Sequence, residues 1–303
     1  SESLVIIMVV VPGLTHLAIL SLILLDEKYK VVVIDNGLSD QERRELSKLI
    51  PGIFLFRLKT NRFRGRQMMD THPEVIETLA YIPRLKIIFI DADCYIFDKK
   101  IISAIIKQLD DFLFSSPFWF QNNELGEIVP ETFLLGINTV KLREIKKIHG
   151  IKFGDSCLDD TLKQKVFNKW KIENPWPQPY KKIFDTIHIP LLAGLIENMR
   201  VGCVNSVKGT LFHVCATSYN HHSFQTKENF DLLIINAHYF HLKIIELLQF
   251  KWVEDYFREL INFYGSSQKL KETFNEYSQS HQCSEVEDLV LKLSKSQQFR
   301  TKI

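Results

Sequence analysis

Blocks of hydrophobic and polar residues alternate along the first part of the chain and predict strands and helices in turn. Continuous runs rich in β-branched residues are typical of strands that are covered on both faces, as in parallel sheets. The predicted strands cover residues 4–11, 30–35, 53–57 and 86–91, and the predicted helices cover residues 15–25, 39–50 and 73–83. This alternation predicts an α/β fold with a mostly parallel central sheet flanked by helices. In such folds ligands bind beyond the carboxyl ends of the strands.

Residues 4–25 are apolar enough to suggest a membrane-spanning or signal segment. Pro12, Gly13 and His16 interrupt the run in its middle. A buried strand, a turn and a buried helix explain this pattern better than one long helix does. We therefore predict that the segment belongs to the core of the α/β domain.

The rest of the chain continues the alternation and then changes character. Further elements are predicted as a helix over residues 101–109, strands over 112–114 and 132–137, a helix over 140–149, another from Asp159, and strands over 201–204 and 210–215. Three prolines within residues 174–180 each remove an amide donor and predict a loop. Amphipathic helices over 230–263 and 285–294 follow. We predict an α/β domain over residues 1–225 and a helical C-terminal extension over residues 226–303.

Composition narrows the setting of the protein. The net charge of +2 creates no global basic field, so nucleic-acid binding is not indicated and an anionic ligand would need a local basic cluster. The five cysteines are odd in number and contain no C-x-x-C pair, which argues against a disulfide framework and a structural zinc site. A reducing, cytoplasmic location fits this usage, and peripheral association with a membrane is compatible with it.

Residues 88–93, Ile-Phe-Ile-Asp-Ala-Asp, place two carboxylates directly after an apolar strand. In extended chain, residues i and i+2 point the same way, so Asp91 and Asp93 could present oxygen atoms to one point. Mg²⁺ and Mn²⁺ accept such oxygen ligands from carboxylates and phosphates together. The segment predicts a metal site at the edge of the sheet. The structural alternative is that both aspartates end the strand and cap the following turn.

A second signature lies at the end of the second predicted strand. Residues 31–40, Val-Val-Val-Ile-Asp-Asn-Gly-Leu-Ser-Asp, resemble the V-V-D-N-G-S-x-D segment of family-2 glycosyltransferases and their GT-A relatives. The D-x-D of Asp91 and Asp93 then follows in the family's order. The resemblance covers about the first third of the chain and departs from the family at Leu38, where serine is usual, and at residues 9–13.

The resemblance implies a GT-A fold and a metal-dependent glycosyltransferase whose donor is a nucleoside-diphosphate sugar. It implies that Asp35, with Asn36 beside it, contacts the nucleobase or ribose, and that Asp91 and Asp93 hold the metal on the diphosphate. A tight Asp-Asn-Gly turn at Asp35 is an alternative that is compatible with this contact. Several GT-A relatives supply a late histidine as third metal ligand or phosphate contact, and His213 is the candidate here. A buried core histidine is its alternative.

Basic residues crowd positions 57–66, and arginine binds phosphate oxygens in pairs. Arg64 and Arg66, on either side of Gly65, are the candidates for contact with the diphosphate. A solvated charged loop is the alternative.

The resemblance also implies an acidic pair at the start of a helix after the D-x-D, and Asp159 with Asp160 is the best match. Asp160 would then be the general base that takes the proton of the acceptor hydroxyl. Stabilisation of the helix N-terminus is the structural alternative, and a reaction that retains anomeric configuration needs no such base. Gly136 lies in a segment that resembles one near the sugar in some GT-A enzymes, where a small residue makes room for the sugar ring. Trp119 or Trp176 could stack on a sugar ring, and both could equally be core residues.

The sequence thus predicts transfer of a monosaccharide from a nucleotide sugar to a saccharide, lipid-linked or protein hydroxyl. A haloacid-dehalogenase-type phosphatase is a rival, because its D-x-D also follows a strand, although there the motif ends the first strand and continues D-G-T. A non-catalytic protein of the same fold that binds carbohydrate or a partner is the second rival. The C-terminal helices could mediate homo-oligomerisation or acceptor docking.

Overall fold

The computed structural model describes residues 3–25, 28–57, 71–79, 85–151, 159–172, 187–214, 232–248, 258, 261–280 and 284–296. The strands are β1 (Ser3–Val10), β2 (Val31–Asp35), β3 (Phe54–Arg57), β4 (Leu85–Ile90), β5 (Cys94–Ile96), β6 (Phe114–Ser116), β7 (Trp119–Asn122), β8 (Glu127–Pro130), β9 (Leu134–Asn138), β10 (Val201–Cys203) and β11 (Leu211–His213). The helices are α1 (Thr15–Leu24), α2 (Asp40–Leu49), α3 (Thr71–Leu79), α4 (Lys100–Gln108), α5 (Thr139–His149), α6 (Asp160–Trp170), α7 (His188–Ile196), α8 (Leu232–Leu248), α9 (Ser267–Ser280) and α10 (Ser284–Lys295).

Within these ranges the central sheet has seven strands in the order β10-β6-β9-β4-β1-β2-β3. Neighbouring strands are parallel except at β9, which runs antiparallel to both β4 and β6. The predicted α/β class with a mostly parallel sheet is therefore confirmed. The strand order reverses beside β1, which has β2 on one side and β4 on the other. That reversal is the topological switch point, where open α/β sheets bind their ligands.

The two faces of the sheet bury alternate residues, as the period of two in a strand requires. From β1, Ile7 faces a cluster that includes residues of α5, α6 and α7, whereas Ile6 and Met8 face a cluster formed with α1, α2 and α4. Helices on both faces explain why the strands read as continuous apolar runs rather than as alternating patterns.

Helix α1 is buried along all ten of its residues. One side contacts the sheet, and the other, through Leu17, Leu20 and Leu24, packs in a third cluster with α8, α9 and α10. The apolar run at residues 4–25 thus forms a core strand and a core helix, as predicted. In the parts of the chain that the structure describes, no helix combines the length and hydropathy needed to span a bilayer.

Several elements differ from the sequence-based expectation. The segment without clear periodicity near residue 120 forms a hairpin, in which β7 pairs antiparallel with β8. The buried helix α7 and the more polar helix α9 were not predicted either. The predicted domain boundary near residue 225 lies outside the described residues, so the division into two domains stays a prediction.

Candidate functional site

The loops that follow β1, β2 and β4 lie at one edge of the sheet. Val10 pairs with Asp35 and Ile7 pairs with Phe89, so the ends of the three strands are nearly level. At the usual spacing of strands, the end of β2 lies about 10 Å from the end of β4. The acidic segment therefore lies at the switch point, with Asp35 at the same edge two strands away.

Three side chains with metal-ligating chemistry converge at the end of β4. One ligand atom from each of Asp91, Asp93 and His213 lies within 4.8 Å of the others. The Nε2 atom of His213 is 3.3 Å from Asp93 Oδ1 and 3.8 Å from Asp91 Oδ2. The structure thus brings together the three residues that the sequence proposed as metal ligands.

The carboxylates of Asp91 and Asp93 meet for a different reason from the one proposed. Residues 92 and 93 form a turn rather than extended chain, closed by a hydrogen bond of 3.1 Å from the amide of Cys94 to the carbonyl of Asp91. Ala92, the first residue of this turn, is buried. Convergence of the two carboxylates therefore depends on the turn, not on the alternation of side chains along a strand.

His213 reaches the cluster through a two-stranded ribbon. β11 pairs antiparallel with β5, with His213 opposite Cys94, and the amide of Val214 donates to the carbonyl of Asp93 at 3.1 Å. The imidazole stacks on the ring of Phe133, with centroids 3.6 Å apart and planes 21° apart. The carbonyl of Phe133 also accepts a hydrogen bond of 3.0 Å from the amide of Asp91. One residue therefore orients two of the three candidate ligands.

Burial of the cluster disfavours two neighbouring negative charges on Asp91 and Asp93. The side chains of Asp93 and His213 are 8% and 6% exposed, and that of Asp91 is 22% exposed. Two carboxylates so close together, with little water, favour a nearby positive charge. Burial, together with the charges of Asp91 and Asp93, raises the pKa of the Cys94 thiol well above its ordinary value. Cys94 therefore stays a protonated thiol, and the donor set remains two carboxylates and one imidazole.

Asp35 adopts the turn that the sequence offered as an alternative. Its Oδ1 accepts from the amides of Gly37 and Leu38 at 2.7 and 2.6 Å, and its Oδ2 accepts from Arg43 Nη1 at 3.0 Å. Asp35 and Asn36 are both buried. The carboxylate of Asp35 thus fixes the loop at the end of β2, and the proposed contact with a nucleoside stays a prediction.

Glu42 connects two loops at this edge of the sheet, and the sequence predicted only one of its two contacts. The predicted capping box is present, because Ser39 and Glu42 satisfy each other's backbone amides at the start of α2. Glu42 Oε1 also accepts from the amide of Gly13 at 3.0 Å and from the hydroxyl of Thr15 at 3.1 Å. This carboxylate joins the loop after β1 to the loop after β2. The capping-box spacing gave the residue but not its second partner.

Asp159 and Asp160 begin α6, as predicted. Asp159 is the N-cap and accepts from the amide of Leu162 at 2.7 Å, whereas Asp160 is fully exposed and lies 3.3 Å from Lys163 Nζ. Among the described residues, the contacts of both carboxylates remain within the first turn of α6, in keeping with the structural alternative. Their catalytic role stays a prediction.

The remaining candidates divide into two groups. Arg64, Arg66 and Trp176 lie outside the described residues. Trp119 is 42% exposed at the start of β7. At Gly136 an added Cβ would lie 2.4 Å from Ile105 Cγ2, so the missing side chain makes room for α4. Packing against the helix explains this glycine without a sugar.

No family model and no curated protein matches the chain. Solved structures similar to it include the galactosyltransferase LgtC in complex with donor and acceptor sugar analogues, with a TM-score of 0.44, 13% identity, and 76% of this chain and 81% of that chain covered. S. aureus TarS gives a TM-score of 0.39 and 13% identity over 95% and 89% of the two chains. A cytidylyltransferase from Leptospira borgpetersenii gives 0.37 and 12% over 82% and 94%. At such low similarity the functional assignment depends on the geometry of the site itself.

Proposed function

We propose that this chain is a metal-dependent glycosyltransferase of the GT-A type, which transfers a monosaccharide from a nucleoside-diphosphate sugar to a hydroxyl acceptor. The supporting observation is the convergence of Asp91, Asp93 and His213 within 4.8 Å at the switch point of the sheet. The resemblance of residues 31–40 to the family-2 signature supports the same assignment.

The donor set fits a divalent transition metal. Carboxylate oxygens suit Mg²⁺ and Mn²⁺ alike, but an imidazole nitrogen favours a metal softer than Mg²⁺. Of the two ions, Mn²⁺ therefore fits Asp91, Asp93 and His213 better. The three protein ligands would leave coordination positions for oxygens of the diphosphate. A bound ion would act there as a Lewis acid and stabilise negative charge on the departing diphosphate.

The level ends of β2 and β4 suggest how the donor lies. Its nucleoside would occupy the loops after β1 and β2, and its diphosphate would reach the metal about 10 Å away, at the spacing of two strands. Asp35 is engaged by Gly37, Leu38 and Arg43, so it would shape this loop, together with the buried Asn36, while the backbone of the loop contacts the nucleoside. Arg64 and Arg66 remain our candidates for further contacts with the phosphates.

In the reaction, the acceptor oxygen forms a bond to the anomeric carbon, and the bond from that carbon to the diphosphate oxygen breaks. The diphosphate leaves with the electron pair of the broken bond. The acceptor proton goes to a base, for which Asp160 is our candidate in an inverting enzyme, or to the diphosphate in a retaining one. The acceptor would be a saccharide, lipid-linked or protein hydroxyl.

Thermal unfolding with nucleotides tests the proposal. Nucleoside diphosphates and their sugars should raise the melting temperature by a few degrees when Mn²⁺ is present, because a ligand at about 100 times its Kd stabilises by roughly 2.7 kcal/mol. Asp93→Asn should remove the Mn²⁺-dependent part of that rise. Asp111→Asn, which changes an exposed carboxylate, should keep it.

Other outcomes of this experiment would favour the rivals. An equal rise in wild type and Asp93→Asn would contradict the metal site. Release of phosphate from simple phosphate esters, without any response to nucleotide, would support a phosphatase. A wild-type protein that binds no nucleotide in the presence of Mn²⁺ would support a non-catalytic binding protein.

A further inference from the structure

Two of the three proposed metal ligands depend on the ribbon formed by β5 and β11. His213 ends β11, and Asp93 directly precedes β5. Each strand is three residues long, and the ribbon is extended at its other end by a 2.8 Å hydrogen bond from the amide of Phe97 to the carbonyl of Thr210. A two-stranded ribbon this short is at best marginally stable by itself. Its shape must therefore be maintained by the structure packed around it.

Lys292 of α10 holds the end of the ribbon that lies away from the metal cluster. Its ammonium group donates a hydrogen bond to the carbonyl of Gly209, in the turn that precedes β11. The same group lies 5.4 Å from the ring centroid of Phe97 and 5.7 Å from that of Phe212, within the range of cation–π attraction. Phe97 follows β5 and Phe212 is the central residue of β11. The side chain of Lys292 therefore contacts residues from both strands of the ribbon.

Gly209 permits this approach. Its φ of +80° lies in the left-handed region, and an added Cβ would lie 3.3 Å from Lys292 Nζ. A larger residue would be strained and would crowd the ammonium group. The glycine at position 209 therefore leaves space in the turn for the side chain of Lys292.

The apolar face of α10 covers the ribbon beside this contact. Leu289 and Leu293 are buried in one cluster with Tyr95 of β5 and with Phe212 and Val214. Tyr95 also contacts the ring of Phe240 in α8, with centroids 5.5 Å apart. The C-terminal helices therefore pack directly on the residues that carry Asp93 and His213.

We propose that Lys292 is a positioning residue for the metal site. It fixes the ribbon so that His213 and Asp93 stay converged, and it thereby couples the docking of α10 to metal binding. The inference rests on the proposed metal site. Coupling of this kind is reciprocal, so a metal ion that needs the docked helix must also stabilise its docking.

Titration of the full chain with Mn²⁺ alone tests the first half of this inference. Lys292→Met keeps the apolar stem but loses the charge and the donor. It should weaken Mn²⁺ binding by about threefold to tenfold, which is less than the roughly 10- to 100-fold effect of residues that hydrogen-bond to a metal ligand directly, because Lys292 acts through the ribbon. Lys292→Arg keeps both charge and donor and should bind nearly as the wild type does. Lys295→Ala, an exposed lysine one turn further along α10, should not change the affinity.

Hydrogen exchange tests the reciprocal half. In the wild type, Mn²⁺ should slow amide exchange in β11 and in α10, and Lys292→Met should lose the slowing in α10 while keeping the melting temperature of the metal-free protein within a few degrees of the wild type. If Lys292→Met does not fold, the wild-type exchange and the Lys292→Arg affinity decide the matter: unchanged exchange in α10 on metal addition overturns the inference.

The outcomes separate the inference from the proposed function. A wild-type chain that binds no Mn²⁺ overturns the metal site itself. Normal Mn²⁺ binding by the wild type with equal affinity in Lys292→Met overturns the positioning role alone. Equal weakening in Lys292→Met and Lys295→Ala would also overturn it, because the effect would then not depend on the contact between Lys292 and the ribbon. Loss of positive charge alone should strengthen the binding of a cation rather than weaken it.

Discussion

The imidazole of His213 lies between the ring of Phe133 and the carboxylate of Asp93, and each neighbour restricts it differently. The stacked ring sets the plane of the imidazole, and the carboxylate lies 3.3 Å from its Nε2. The family resemblance made His213 a candidate metal ligand, but nothing in the sequence pointed to Phe133. A phenylalanine before an apolar strand is indistinguishable from any core residue until its partner is known.

Phe133→Leu should therefore weaken Mn²⁺ binding without unfolding the protein. Leucine retains most of the apolar volume but cannot stack flat on the imidazole, so the ligand loses its fixed plane, and affinity should fall on the order of tenfold. Titration with Mn²⁺ measures it. Phe120→Leu, at an exposed position on β7, is the matched control. Equal affinities in Phe133→Leu and wild type would show that the stack is incidental.

Gly136 carries a prediction about packing rather than binding. The Cβ of Gly136→Ala would meet Ile105 Cγ2 at 2.4 Å and Leu109 at 3.1 Å, so α4 must shift away from the sheet. Overpacking of this kind costs about 1–3 kcal/mol in the free energy of unfolding, measured by urea denaturation. In an Ile105→Ala background the cost should shrink. An unchanged cost there would mean that Ile105 is not the obstacle.

At the scale of elements, the sequence predicted those segments whose burial is regular. Strands covered on both faces gave continuous apolar runs, and the Ser39–Glu42 box gave the start of α2. The sequence did not predict the hairpin of β7 and β8, because Trp119, Phe120 and Gln121 are all exposed and the alternation of buried and exposed residues that is typical of a strand is missing. The sequence did not predict helix α7 either, because the helix is buried almost throughout and has no polar face. Periodicity is visible only in an element with one face in the core and one in water, and neither β7 nor α7 has that arrangement. Helix α1 is equally buried, and it was predicted because Pro12 and Gly13 separate it from the preceding strand.

Glu42 joins elements that are separate in sequence, and this predicts a local loss of stability in Glu42→Gln. The amide cannot accept from Gly13, Thr15 and Ser39 as a carboxylate does, and loss of hydrogen bonds to a buried charged group costs about 1.5–3 kcal/mol. Hydrogen exchange should show the loss around residues 13–15. Glu45→Gln, one turn further along α2, should change little. Unaltered protection at residues 13–15 would contradict the bridge.

At the scale of the whole molecule, the helical C-terminal region and the α/β region meet through buried polar groups as well as apolar ones. His16 of α1 lies 2.9 Å from His241 of α8, both fully buried. A pattern of single residues cannot show such a contact, because the two histidines are 225 positions apart. The sequence indicated amphipathic helices in this region, but it could not show which face of α1 they cover.

This interface predicts loss of stability in acid. Burial lowers the pKa of His16 from 6.5 to about 3, so the folded protein resists a proton that the unfolded chain accepts below pH 6.5. The contribution of His16 to the free energy of unfolding is therefore at its full value above about pH 6.5. It falls as the pH decreases from 6.5 toward 3, with a slope that approaches about 1.4 kcal/mol per pH unit. His238, whose pKa burial lowers to about 4, adds to the same trend.

Urea unfolding between pH 7.5 and pH 5 measures this slope. His16→Gln removes one titrating group while keeping an amide that can hydrogen-bond to His241, so its stability should fall less steeply with decreasing pH. Identical slopes for the two proteins would mean that folding does not lower the pKa of His16.

The reversed direction of β9 decides which connections can change without disturbing the sheet. Because β9 begins at the edge where β4 and β6 end, the whole excursion from Phe118 to Phe133, hairpin included, lies at the edge of the sheet that carries Asp91. Both ends of the excursion adjoin His213, because the rings of Phe118 and Phe133 contact its imidazole. The exit of β9 leads straight into α5 at the opposite edge. Lengthening or shortening the excursion would therefore change the surface beside Asp91 and His213 while every ladder of the sheet stayed in place. On the proposed function, such a change would alter substrate preference without altering the sheet.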